Sequence, residues 1–155
     1  MELTKAHHLA IHLMEKHNLI IAGWRFKFDN AKRRFGCCKY GCKTITLSKY
    51  LTELNDEARI RNTILHEIAH ALTPGHHHNS VWKSKAREIG CDGQRCYSNL
   101  AVEVPKARYI ATCPGCGKTF TKHRIRKGVN QSCSRCSGGR YNPKYKIEFK
   151  INLDY

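Results

Sequence analysis

Two imidazoles and a carboxylate stand together in the run His66-Glu67-Ile68-Ala69-His70. On a helix, His66 and His70 lie one turn apart on one face, with Glu67 beside them. That spacing suits two nitrogen ligands to a zinc ion and a base for the water such an ion activates, the arrangement of metal-assisted peptide hydrolysis. Two histidines hold a hydrolytic zinc weakly. A third protein ligand is therefore required, while one coordination position stays open for water. The candidates follow at once in His76, His77 and His78.

The elements that must position these groups are legible around them. Asn55 can cap a helix, Asp56 and Glu57 follow where the helix dipole favours acids, and Ile60, Ile64, Leu65, Ile68 and Leu72 form an apolar stripe. Pro74 cannot continue the ladder, and Gly75 frees the chain to turn sharply just after the motif. Asn79 then offers a second cap, and Val81, Trp82, Ala86 and Ile89 give a second amphipathic helix that stops at Gly90. His78 is the best placed third ligand on these local grounds, because a side chain just before a capped helix start is held in place. His76 stands where a metzincin takes its third ligand, but such a protein has glycine at the position of Thr73 and a later Met-turn. The only methionines here are Met1 and Met14, so that family is excluded.

The run His66 to Leu72, then Pro74-Gly75-His76-His77-His78 and Trp82-Lys83, resembles the SprT-like metalloprotease family, which includes Spartan. The resemblance implies His78 as the third zinc ligand, being the histidine four residues before an aromatic in the following helix. It leaves His76 and His77 as turn residues, each with the alternative of a ligand or a catalytic helper. It also covers a second constellation, since many such proteins carry a zinc ribbon after the protease domain.

That constellation is Cys113-Pro114-Gly115-Cys116 and, after sixteen intervening residues, Cys133-Ser134-Arg135-Cys136. Two C-x-x-C knuckles so separated fit a four-thiolate structural zinc site, with a glycine letting the first fold around the metal. A redox pair would not need a matching partner, and no secretory signal is visible to favour disulfides. The expected cofactors are therefore two zinc ions, one catalytic and one structural. The five other cysteines, Cys37, Cys38, Cys42, Cys91 and Cys96, read as thiols in a reducing compartment. Cys38 with Cys42, or Cys91 with Cys96, would add thiolates only if tertiary folding brought them together.

The chain of 155 residues can hold one compact domain and a small metal-stapled module, expected at 1–104 and 105–155. Its net charge of +16 is uneven. From Pro105 onward 12 Lys and Arg face only Glu148 and Asp154, a footprint for a polyanion, most often nucleic acid. The densest part is Lys118, Phe120, Lys122, Arg124, Arg126 and Lys127, between the two knuckles. No base-reading motif accompanies it, so the expected mode is sequence-tolerant, salt-sensitive contact with the backbone, with Phe120 or Tyr141 stacking on an exposed base. The alternative is a solvated, solubilising face.

The remaining segments suggest an α+β domain. Ala6, Leu9, Ala10, Leu13 and Met14 recur at helical spacing after Thr4, a plausible cap. His8 and His12 share that helix one turn apart without a carboxylate or third ligand, and read as a solvated face. Trp24, Phe26 and Phe28 alternate as a strand ending at Asp29-Asn30, and Phe35–Tyr40 with Lys43–Leu47 suggests a strand pair around Gly41. The fold expected is an N-terminal helix, a small antiparallel sheet, the metal-binding helix and its successor, zincin-like, followed by the ribbon. Ser98–Lys106 reads as the linker. Ile147, Phe149, Ile151 and Leu153 alternate as a last strand within or beside the ribbon. No transmembrane run is visible, and the expected location is cytoplasmic, nucleoid or nuclear, not secreted.

Together these features lead to the expectation of a zinc endopeptidase with Glu67 as base. The resemblance adds proteins bound or crosslinked to DNA as substrates. Two alternatives stand beside it: a DNA-binding zinc protein whose histidine site is structural, and a hydrolase of non-peptide amides. A structural zinc would want four protein ligands and no base, which the intact Glu67 disfavours.

Overall fold

The computed structural model describes residues 1–95 and 102–155, so Cys96 and residues 98–101 of the expected linker lie outside the described residues. The chain forms two compact units, Met1–Pro105 and Lys106–Tyr155.

In the first unit α1 (Leu3–Lys16) buries Ala6, Ala10, Leu13 and Met14 along one stripe. Glu2 rather than Thr4 occupies its cap position, with no side-chain bond, so the cap expected at Thr4 is not formed. Three strands follow: β1 (Arg25–Asp29), β2 (Gly36–Lys39) and β3 (Thr44–Ser48), in the order β1-β3-β2. The pair β2–β3 is antiparallel around the tight turn Tyr40–Cys42. By contrast β1 runs parallel to β3, with Phe26 opposite Ile45 and Phe28 opposite Leu47. The expected antiparallel sheet is therefore a mixed one. The link 30–35 reverses the chain across a gap one strand wide, and β3 returns into that gap; alternation along each strand carries no information about who sits beside whom. Every residue of β3 is buried, as befits a central strand.

Ser48 ends β3 and caps α2 (Lys49–Leu54), its hydroxyl accepting from the Leu51 amide at 3.1 Å. Asp56, not Asn55, caps the long α3 (Glu57–Leu72), its carboxylate accepting from the Arg59 amide at 2.7 Å. Asn55 instead closes α2, donating to the Leu51 carbonyl at 2.8 Å and, across the fold, to the Glu103 carbonyl at 2.9 Å. Ile60, Ile64, Leu65, Ile68 and Ala69 turn α3 onto a core shared with α1, Ile45, Leu47 and Trp82. Asn79 caps α4 (Ser80–Glu88), accepting from the Trp82 amide at 3.2 Å.

The second unit is built on β4 (Tyr109–Thr112), which pairs antiparallel with β5 (Thr119–Lys122) and with β6 (Lys150–Ile151). A single helical turn, α5 (Ser134–Ser137), carries the second knuckle. The last strand is shorter than its alternation suggests. Only Ile147 is buried, Leu153 is 96% exposed, and Asn152 ends the pairing by donating from its side chain to the Ala107 carbonyl.

Candidate functional site

α3 carries His66, Glu67 and His70 in consecutive turns, and the turn between α3 and α4 returns His78 to them. Thr73 closes α3, its hydroxyl donating to the Ala69 carbonyl at 2.7 Å. Gly75 and then His78 adopt positive φ, +83° and +57°. Histidine is among the few non-glycine residues enriched in that left-handed region. Here it turns the backbone so that the His78 ring points back at α3. Its Nε2 lies 3.0 Å from Nε2 of His70 and 3.1 Å from Nε2 of His66.

Three imidazole nitrogens so close cannot all point protons at one another. Burial first, and the neighbouring imidazoles after it, hold His66 and His70 down at about 4, so both are neutral bases near neutral pH. His66, His70 and His78 could together hold one metal ion. A tetrahedron with bonds of about 2.1 Å has edges of about 3.4 Å, so the two His78 separations need only a small opening to admit such an ion.

Trp82 forms the floor of this centre, wholly buried, with its ring centroid 4.7 Å from that of His66, 5.0 Å from His70 and 4.5 Å from His78. The loop after α4 fixes a ring from the other side, because the Gln94 backbone hydrogen-bonds to His66. Asp92 shapes that loop: its Oδ1 accepts from the Gln94 amide at 2.8 Å and its Oδ2 from Asn62 Nδ2 on α3 at 3.0 Å. Such outer partners set the tautomer and orientation of a ligand. The role of the loop Asp92-Gly93-Gln94-Arg95 depends on a contact thirty residues away that no local pattern encodes.

Glu67 is 7% exposed, and burial pushes its carboxyl up to about 7 against the smaller opposing pull of the Cys38 amide and the Arg34 charge. It lies flat against β2. A Cβ built on Gly36 would stand 2.7 Å from Glu67 Oε1 and 2.8 Å from its Cγ, so only glycine fits there without moving the carboxylate. The single sequence signal for this was a glycine inside a strand pattern, which marks close backbone approach without saying to what. Tyr40 also reaches α3, its hydroxyl donating to the His70 carbonyl at 2.9 Å.

The other candidates stay apart. Asn79 Nδ2 lies 3.0 Å from His76 Nδ1, His77 is exposed, and among the described residues neither joins the three-histidine group; nor do His8 and His12. Among the described residues, which do not include Cys96, none of Cys37, Cys38, Cys42 and Cys91 joins such a group, and burial pushes the Cys38 thiol up to about 12, the reverse of a ligand's need.

In the second unit the four expected cysteines meet. Cys113 and Cys136 Sγ are 3.8 Å apart, as are Cys116 and Cys133 Sγ. This is far beyond a bonded pair and matches the edge of a tetrahedron of thiolates bonded at about 2.3 Å. Cys113 and Cys116 flank the turn from β4 to β5, and the Gly115 amide donates to Cys113 Sγ at 3.4 Å. Gly115 is required here too, because a Cβ would meet the Tyr145 ring at 2.7 Å.

The basic residues are less uniform than their sequence suggests. Arg124, Arg126 and Lys127 are exposed after β5. Lys122 is engaged, its Nζ donating to Gln131 Oε1 and lying 4.7 Å from the Phe149 ring centre. Lys118 sits 5.6 Å over Phe120, which packs against the cysteine-rich core, whereas Tyr141 is 48% exposed.

A family model for the SprT-like family matches residues 6–105. The chain belongs to the SprT-like family. The match spans the whole three-histidine centre and ends where the first unit ends. A search of curated protein sequences returned no match.

Proposed function

We propose that this SprT-like chain is a zinc-dependent endopeptidase acting on proteins bound or crosslinked to DNA. The observation that carries the reading is the juxtaposition of three imidazoles able to hold one ion with a buried carboxyl that lines the same cleft as His66. Structural zinc sites are closed by four protein ligands, whereas three ligands and a nearby base are the pattern of hydrolytic ones.

His66, His70 and His78 would hold the catalytic ion, and Cys113, Cys116, Cys133 and Cys136 a structural one. Zinc at the histidine centre supplies a Lewis acid that acidifies water and polarises a carbonyl. Glu67 takes the proton of the attacking water and delivers it to the leaving amine, the two steps asked of a buried, positioned general base. Gly36 holds that carboxylate in place by leaving it room, and Trp82 excludes water from beneath the imidazoles.

Nucleic acid is the partner that best suits the second unit. Arg124, Arg126 and Lys127 provide exposed cations for backbone phosphates, and Tyr141 rather than Phe120 has an open ring for stacking. Lys118 is exposed as well and adds a fourth cation, while Phe120 and Lys122 support this surface more than they form it.

The test is cleavage of a DNA-binding protein by the zinc-loaded chain, with and without DNA, against Glu67→Gln. Cleavage that requires DNA and vanishes in the variant is expected. DNA binding without cleavage by either protein would establish the zinc-stabilised binding protein instead.

A further inference from the structure

A cleft of about 530 Å³ opens beside His66 and Glu67, and four arginines line it: Arg33, Arg34, Arg59 and Arg95. They come from three separate places in the fold, the link before β2, the first turn of α3 and the loop after α4. Two of the four matter most. Arg34 is committed to Asp29 at 2.7 Å, whereas among the described residues no ion pair forms at Arg59 or Arg95.

The carboxylates of the cleft do not balance them. Four guanidinium charges face two carboxyls, Glu67 and Asp92, and the Asp92 oxygens are turned to Asn62 and the Gln94 amide. Glu67 is packed against Gly36. The cleft is thus a cationic chamber ending at the reactive centre. Guanidinium groups bind carboxylates through paired, charge-assisted hydrogen bonds, more strongly than neutral amides.

We propose that this cleft is a specificity subsite that takes an Asp or Glu side chain of the polypeptide within two residues of the bond cleaved. The proposal rests on the peptidase reading above and names the substrate feature that reading leaves open. Its occupant has to be continuous with the chain whose carbonyl lies at the histidine centre, because His66 and Glu67 form one wall. The volume is that of a small-ligand pocket, which suits one or two side chains. A nucleic-acid phosphate would satisfy the same charges but would bring a sugar–phosphate backbone to the hydrolytic centre.

The experiment has two arms on the zinc-loaded full chain. In the first, an unfolded protein of mixed composition is digested and the new termini are mapped by mass spectrometry. Asp and Glu are expected about tenfold more often than Asn and Gln within two residues of the cut, and this ratio should fall toward one in Arg59→Gln/Arg95→Gln. In the second, Glu67→Gln is titrated with a fluorescent peptide carrying Glu and with its Gln counterpart. Tighter binding of the Glu peptide, lost when the two arginines are also replaced, supports the subsite even if no cleavage is seen.

Cleavage without acidic enrichment, with equal binding of the two peptides, overturns the subsite and leaves the peptidase reading standing. Neither cleavage nor peptide binding overturns both. Arginine replacements that weaken DNA binding while the peptide preference persists show that the cleft serves phosphates, and overturn the assignment of these arginines.

Discussion

The two clusters of candidate metal ligands in this chain are built on opposite plans. The four cysteines come as two local knuckles, each closed within four residues, around a small core of Ala111, Cys113, Cys133 and Ile147. The three histidines are two residues of a long helix and a third delivered by a left-handed turn, supported by a buried tryptophan and a loop clasped to Asn62. In the cysteine cluster the metal would stand in for a hydrophobic core too small to be stable alone. The histidine centre rests instead on a large apolar core shared by α1, the sheet, α3 and α4, whose order holds three imidazoles and a carboxyl in place. A closed site stabilises; an open one on a rigid frame can react.

Stripping metal tests this contrast most severely. Removing zinc, or replacing Cys113 with Ser, is expected to unfold the second unit, since structural zinc binding contributes on the order of 10 kcal/mol to such modules. The first unit should keep its secondary structure, as NMR of the two sets of resonances would show. Coupled loss of both units would break the comparison.

Glu67→Gln should lower peptide cleavage by about 10³-fold, within the range for a positioned base, with zinc content by metal analysis unchanged. Gly36→Ala should lower kcat by about 10²-fold at nearly unchanged metal affinity, because displacing a reacting group by about 1 Å costs that much. If Gly36→Ala loses metal rather than rate, the carboxylate and the ligands are not independent. Asp92→Asn or Asn62→Ala should loosen the loop bound to His66 and weaken zinc affinity at the histidine centre by about tenfold, leaving the cysteine site untouched.

The smallest effect concerns pH in the metal-free chain. The folded pKa of Glu67 is raised to about 7 from 4.5 by burial. Its protonated form therefore contributes stability that is fully present below about pH 4.5 and lost as pH rises through about 7. His66 and His70, depressed to about 4, run the other way, their contribution present above about 6.5 and lost as pH falls through 4, but they are common to both proteins compared. Urea denaturation followed by the fluorescence of Trp24 and Trp82 should show metal-free Glu67→Gln gaining roughly 2–4 kcal/mol on wild type between pH 4.5 and 8.

Much of both sites was legible in the amino-acid order. Ligands that are neighbours along one helix or within one knuckle declare themselves by spacing, as His66, His70 and the cysteine pairs did. The cap at Asn79 was equally local. What was missed depends on pairs distant in sequence: the parallel seat of β1 beside β3, the cap passing from Asn55 to Asp56 once Asn55 bonds Glu103, and Lys122 being drawn onto Gln131 and Phe149.

The sequence by itself determined which atoms are available to bind metal and in what local order, because helical periodicity and knuckle spacing are short-range geometry. Tertiary structure alone decided that Gly36 lies against Glu67, that Trp82 lies beneath all three imidazoles, and that arginines from three segments face one cleft. Those contacts arise from packing a sheet, two helices and a loop around one core, and burial then sets the charge of Glu67, a property no residue carries in its own identity.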